Sequence, residues 1–129
     1  LIPFTELATP HIAGYSLDGK YRGTYMLYEA FCQLFDLPQS LTLAELLPLT
    51  DVSDIALKTE LNEKVIKKLI HLIYDVRRDD ALFRLNVYEQ GGFDRLRKQY
   101  QERREWASLS VQTSGSVDLL QQLGFSISK

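Results

Sequence analysis

With a single cysteine, Cys32, the chain has no internal disulfide and suits a reducing cytoplasm. Two histidines and that cysteine, scattered along 129 residues, give no metal-ligand spacing. Apolar runs fall far short of the roughly 20 residues that span a bilayer. No basic stretch followed by an apolar one opens the chain, so no signal peptide is indicated. Charge of one sign is missing too: 15 Lys and Arg face 17 Asp and Glu, and a net charge of −2 leaves no electrostatic footprint for nucleic acid or anionic membrane. There is no G-x-G-x-x-G; Gly14, Gly19 and Gly23 have the wrong spacing and precede no strand-to-helix turn, so no dinucleotide cradle is encoded here. Internal repeats and low-complexity tracts are also lacking. What remains is ordinary: 45% hydrophobic and 25% charged residues, as in a single soluble domain able to bury about two-thirds of its unfolded surface.

Residues 1–15 read as loop, interrupted by Pro3 and Pro10. Ser16 is an N-cap, and Tyr21, Tyr25, Tyr28, Phe31, Cys32 and Phe35 then recur at helical spacing, predicting a helix that buries an aromatic face and stops before Pro38. Thr42 with Glu45 forms a capping box for a short second helix. The stretch from Pro38 to Ser40 is the best domain boundary, dividing 1–37 from 41–129. The second part reads as an α/β (α+β) unit of order β-α-α-β-α-β, a small sheet covered by helices. Its elements are a strand over 54–59, a helix capped by Asn62 with Val65, Ile66, Leu69, Ile70, Ile73 and Val76 on one face, and a helix through Phe93, Leu96 and Tyr100 braced by Asp94 and Lys98. A strand alternating through 107–113, a short helix closed by Gly124 and a last strand holding Phe125 and Ile127 complete it.

The chemistry rests on His11. By itself a lone histidine after a proline reads as a surface or packing residue. The stretch Thr9-Pro10-His11-Ile12-Ala13-Gly14-Tyr15-Ser16-Leu17-Asp18-Gly19-Lys20, continuing to Arg22-Gly23-Thr24, changes that reading, because it resembles the end of the catalytic region of D-2-hydroxyacid dehydrogenases. The block from His71 to Asp80, with Phe93-Asp94-Arg95-Leu96-Arg97-Lys98 and Arg103-Arg104-Glu105-Trp106, narrows the resemblance to a branch acting on a phosphorylated 2-hydroxy acid. The resemblance implies that His11 is the acid/base exchanging a proton with the substrate hydroxyl while NAD accepts the hydride. Imidazole suits that task, since its unperturbed pKa of about 6.5 lets it hold or release a proton near neutrality. It further implies that Gly14 contacts the cofactor and Tyr15 the phosphorylated substrate. A turn glycine and an aromatic helix anchor are the plainer readings of those two. The glutamate and arginine that the family sets beside the histidine lie upstream of Leu1, and Glu6 sits at the wrong place in the motif to replace the glutamate.

Residues 1–37 are therefore expected to be the last loop and closing helix of a catalytic region, and 41–129 a dimerisation domain of a cytoplasmic homodimer. Leu1 is no initiator, which agrees with a C-terminal part of a longer enzyme. Without the dinucleotide site the chain alone is expected to be inactive. Arg77, Arg78, Asp79 and Asp80 read as a helix end, with Asp75–Arg78 and Arg77–Asp80 pairs satisfying one another; the alternative is a charged subunit interface with Arg103, Arg104 and Trp106. His71, among apolar neighbours, is packed rather than catalytic. A free-standing regulatory or small-molecule-binding module is the competing class, and another D-2-hydroxyacid dehydrogenase the competing identity. A regulatory module, however, has no use for half an active site.

Overall fold

The computed structural model describes residues 1–128, and its architecture is mixed α/β. After a loop, helix α1 spans Leu17–Leu34, capped by Ser16, whose side chain accepts from the Gly19 amide. The short α2 (Leu43–Leu46) carries the expected capping box between Thr42 and Glu45. Strand β1 (Asp54–Ala56) leads into α3 (Glu63–Ile73), capped by Asn62 through the Val65 amide. Then come α4 (Val76–Asn86), α5 (Gly92–Lys98), β2 (Ser110–Gln112), α6 (Asp118–Gln122) and β3 (Ser126–Ile127). The end of α6 fulfils the expectation for Gly124. With φ at 94° it lets its own amide reach Gln121 and the Phe125 amide reach Leu120, a full Schellman ending.

The three strands are parallel, in the order β1-β2-β3. Parallel neighbours cannot be joined by a hairpin, so helices must carry the chain across: α3 to α5 between β1 and β2, and α6 between β2 and β3. Register places Ile55 beside Val111 and Val111 beside Ile127, one apolar row across the sheet. Around Val111 the buried core gathers Leu69, Leu109, Leu120 and Phe125. Ile55, Val65, Ile70, Ile73 and Trp106 close over it, with Trp106 stacked on Phe125. No helix among the described residues is long and apolar enough to cross a membrane.

Several expectations need correction. The first strand is shorter than 54–59, although the Leu57 amide still pairs with Gln112. The helix expected through Val76 stops at Ile73; Tyr74 is extended, and Asp75 caps a separate helix by accepting from the Arg77 amide. Arg77 to Asp80 thus open α4 rather than close a helix, and the observed order has one helix more than expected. The expected Asp75–Arg78 and Arg77–Asp80 pairs give way to Asp75–Arg77 and Asp80–Arg84. Asp94 and Lys98 form no ion pair. On α1 the aromatic face is not buried: Phe31 and Phe35 remain more than half exposed, and Cys32 is the one buried apolar residue of the helix. The residues following α1 cover it only partly. Tyr25 donates to the Leu41 carbonyl, and the Tyr28 hydroxyl accepts from the Ser40 and Leu41 amides.

Candidate active-site loop

Alternate side chains of the loop before α1 turn inward. Pro10 and Ile12 are buried, so His11 between them faces out and is exposed. The backbone turns sharply there, with the His11 amide donating to Thr9 and the Tyr15 amide to Ile12 (2.9 and 3.1 Å). His11 adopts φ of 58°, the left-handed region, which costs a side-chain-bearing residue roughly 1–3 kcal/mol. Burial of both neighbours is what holds it there. Gly14 also has positive φ (75°), and a Cβ added to it would meet nothing within 4 Å. Its glycine identity therefore answers to conformation and leaves an open backbone face.

Both ends of the loop are tethered by the blocks that stood out as charged runs. On the N-terminal side, the Ala8 amide donates to Asp80 Oδ1 (2.8 Å), which also accepts from Arg84 Nε (2.8 Å). Arg84 in turn donates to the carbonyls of Ile2 and Thr5. The Ala8 amide, with the Arg84 guanidinium, holds the Asp80 carboxyl below the usual carboxylate range. On the C-terminal side, Ser16 Oγ donates to Glu105 Oε1 (2.7 Å), and the Leu17 amide to the Arg103 carbonyl (2.9 Å). Asp18, 4% exposed, accepts from Arg104 Nε (2.9 Å), Arg104 Nη2 (3.1 Å) and the Glu105 amide (2.9 Å). Burial alone would raise this carboxyl, but the Arg104 guanidinium and the Glu105 amide outweigh it and hold the pKa below its ordinary value.

Tyr15 is half-buried. Its ring meets Tyr100 edge-on at 5.7 Å, and its hydroxyl accepts from Arg97 Nη2 (3.1 Å). Tyr100 belongs to a second polar cluster, in which the Tyr74 and Tyr100 hydroxyls both donate to Asp79 Oδ2 (2.7 and 2.8 Å). Burial and then the Asp79 hydrogen bond push Tyr100 up to about 12 and raise Tyr74 as well. Arg103 lies over the Tyr74 ring, 4.2 Å from its centroid. These residues line a cleft of about 690 Å³ that reaches Pro10 but not His11.

The structure thus brings His11, Gly14 and Tyr15 onto one tethered loop. Among the described residues no carboxylate pairs with the imidazole. Glu6 offers its carbonyl to Arg84, and its side chain forms no ion pair among the described residues. Nor is there any cluster among the described residues that could hold a metal. His71 is half-buried beside Arg77, with Nδ1 3.1 Å from Arg77 Nη2. Reading the sequence missed Asp18, Asp80, Arg97 and Arg104 as the loop's supports. Each supporting contact joins residues 72 to 89 positions apart, and no local spacing announces that.

A family model described as "Domain of unknown function (DUF3410)" matches residues 46–124. Among curated relatives, the erythronate-4-phosphate dehydrogenase of Tolumonas auensis is 56% identical over 128 residues, covering 99% of this chain and 34% of that protein. The enzyme of the same name from Yersinia enterocolitica is 55% identical over 128 residues, covering 98% and 34%. That of Yersinia pestis is 55% identical over 127 residues, covering 97% and 34%. The chain spans about a third of the length of the curated relatives it matches.

Proposed function

The chain belongs to the DUF3410 family, and from that premise we propose that it is the C-terminal part of an NAD-dependent erythronate-4-phosphate dehydrogenase. The observation that carries this reading is 56% identity across 99% of the chain to a protein of that name. The reaction would be oxidation of 4-phospho-D-erythronate at its 2-hydroxyl, a step of pyridoxine 5′-phosphate biosynthesis in the cytoplasm. His11 would take the hydroxyl proton. Its outward-facing imidazole, held on a strained backbone between two buried neighbours, suits a group that must meet substrate from outside this chain. NAD, when bound by the rest of the enzyme, supplies the hydride acceptor. The open backbone face at Gly14 fits a cofactor contact, but nothing here fits a dinucleotide cradle, so the chain would not hold NAD by itself. Tyr15 would reach the phosphorylated substrate.

In this reading residues 1–37 complete the catalytic region and 41–129 mediate homodimerisation. The edge strands β1 and β3 and the exposed Leu72, Leu82, Leu85 and Tyr88 of the helical layer supply surface that a second copy can bury. In the full-length enzyme, His11→Ala should lower turnover of 4-phospho-D-erythronate by about 10²–10⁴-fold, with NAD affinity and dimer unchanged. Steady-state kinetics with sedimentation equilibrium decides this; near-normal turnover at every pH would move the proton-transfer role elsewhere.

A further inference from the structure

Four arginines of this chain, Arg77, Arg84, Arg95 and Arg104, each find a carboxylate. Arg97 does not. Its Nε is buried with no acceptor, and its Nη2 donates only to the neutral Tyr15 hydroxyl. The rest of its guanidinium lies among aromatic rings, with Cζ 5.7 Å from the Phe93 centroid and 5.9 Å from that of Tyr15. Lys20 approaches the same phenol from α1, Nζ standing 5.3 Å from the Tyr15 centroid, and it too has no carboxylate within ion-pair distance among the described residues. Charge withdrawn from water is normally paired. The half-buried Arg97 departs from that rule, and the exposed Lys20 brings a second cation to the same tyrosine from another helix; neither has a counter-ion among the described residues. The Tyr15 hydroxyl accepts from Arg97, so its own proton is left to donate, and no acceptor for it lies among the described residues.

We propose that Arg97, Lys20 and Tyr15 form an anion seat that recognises the phosphate monoester of the substrate, with Arg97 its specificity-determining residue. A phosphate monoester brings up to two negative charges and three acceptor oxygens, which match the guanidinium, the ammonium and the phenolic proton. Tyr15 follows His11 by four residues on the same tethered loop, so the seat would hold one end of the substrate while the imidazole meets the hydroxyl at the other. This rests on the reading of His11 as the acid/base, and the test separates the two.

Full-length enzyme carrying Arg97→Met or Arg97→Lys is compared with wild type and His11→Ala. Arg97→Met should raise KM for 4-phospho-D-erythronate about tenfold or more, the usual consequence of losing a charged hydrogen-bonding partner, with kcat and the KM for NAD little changed. Inhibition by inorganic phosphate should weaken by a similar factor, inhibition by unphosphorylated D-erythronate should not, and Arg97→Lys should recover part of the loss. An unchanged KM overturns the seat while leaving His11 untouched. Equal weakening towards phosphate and D-erythronate also overturns it, since Arg97 would then act only by holding Tyr15. If wild-type enzyme fails to oxidise 4-phospho-D-erythronate, the functional reading falls. Titration of inorganic phosphate into the 129-residue chain then decides the seat: binding lost in Arg97→Met supports it, and binding that is absent or unaltered overturns it.

Discussion

At the sheet, Leu109, Val111 and Leu120 are sealed completely by other hydrocarbon; at the start of α1, Ser16 and Asp18 are sealed almost as well by an arginine, a glutamate and backbone amides. The two regions bury side chains by different physics. Apolar burial scales with area and has no direction, so it binds layers together without fixing one loop against another. The polar joint is directional. Asp18 accepts from Nε and Nη2 along one edge of the Arg104 guanidinium and from the next amide, so α1 can sit on the 103–105 segment in one orientation only. The loop carrying His11 and Tyr15 ends at that joint, and so inherits its orientation from a segment almost ninety residues later. The core makes the domain; the joint aims the loop.

The largest expected effect separates these two regions. Arg104→Ala leaves Asp18 a buried carboxylate with its main partner gone, and breaking such a pair costs on the order of 3 kcal/mol, a loss in the range of Leu120→Ala in the core. The difference lies in pH. A carboxyl whose folded pKa is depressed contributes stability that is present above its unfolded value and lost as pH falls through the folded one. Asp18 and Asp80 both shift downward, so the wild-type joint should weaken as pH drops below 3.8. Urea unfolding of wild type, Asp18→Asn, Arg104→Ala and the double variant, near neutrality and in acid, measures this. The singles should be strongly non-additive near neutrality, and the gap between wild type and Arg104→Ala should narrow in acid, whereas the cost of Leu120→Ala should stay constant. Additive losses would show that the joint is no more specific than the core.

How much of this was legible in the sequence divides along the same line. The apolar row of α3 and the caps at Ser16, Thr42, Asn62 and Gly124 are local patterns, and the structure holds them. The break at Tyr74 was invisible because Val76 continues the apolar spacing. Only the competing cap at Asp75, and the pull of Tyr74 towards Asp79, show why the helix stops. The supports of the candidate site were invisible for a different reason: an arginine in a charged run looks alike whether it is solvated, pairs within its helix or reaches a carboxylate far along the chain. That Asp79 cluster gives a second, smaller test. Tyr74 and Tyr100 should ionise later than an ordinary phenol, Tyr100 at about 12. Their raised pKa values mean that the contribution to stability is complete below the ordinary tyrosine value of 10.0 and is lost as pH rises through the folded values. Ultraviolet titration should show two late phenols in wild type, moved towards the ordinary value in Asp79→Asn. Identical titration curves for wild type and Asp79→Asn would overturn the cluster's role.

The smallest expected effect lies on the other half of α1, where the comparison is sharpest within one helix. Its first turn is locked by Ser16 and Asp18, yet Leu27 and Leu34 farther along are about three-quarters exposed. A leucine already in water has little transfer free energy left to lose. Leu27→Gln and Leu34→Gln also keep good helix-forming side chains, so each should change the stability of this chain by no more than about 0.5 kcal/mol. That is several-fold less than Arg104→Ala at the joint, despite the far more apolar character of the residues removed. Urea unfolding at two protein concentrations measures it. A loss above about 1 kcal/mol that grows with concentration would mean that a second copy already covers this face, and one independent of concentration would mean that α1 lies down on its own chain in solution. Either result would erase the contrast between the two halves of the helix, since both would then be buried, one by charge and the other by hydrocarbon.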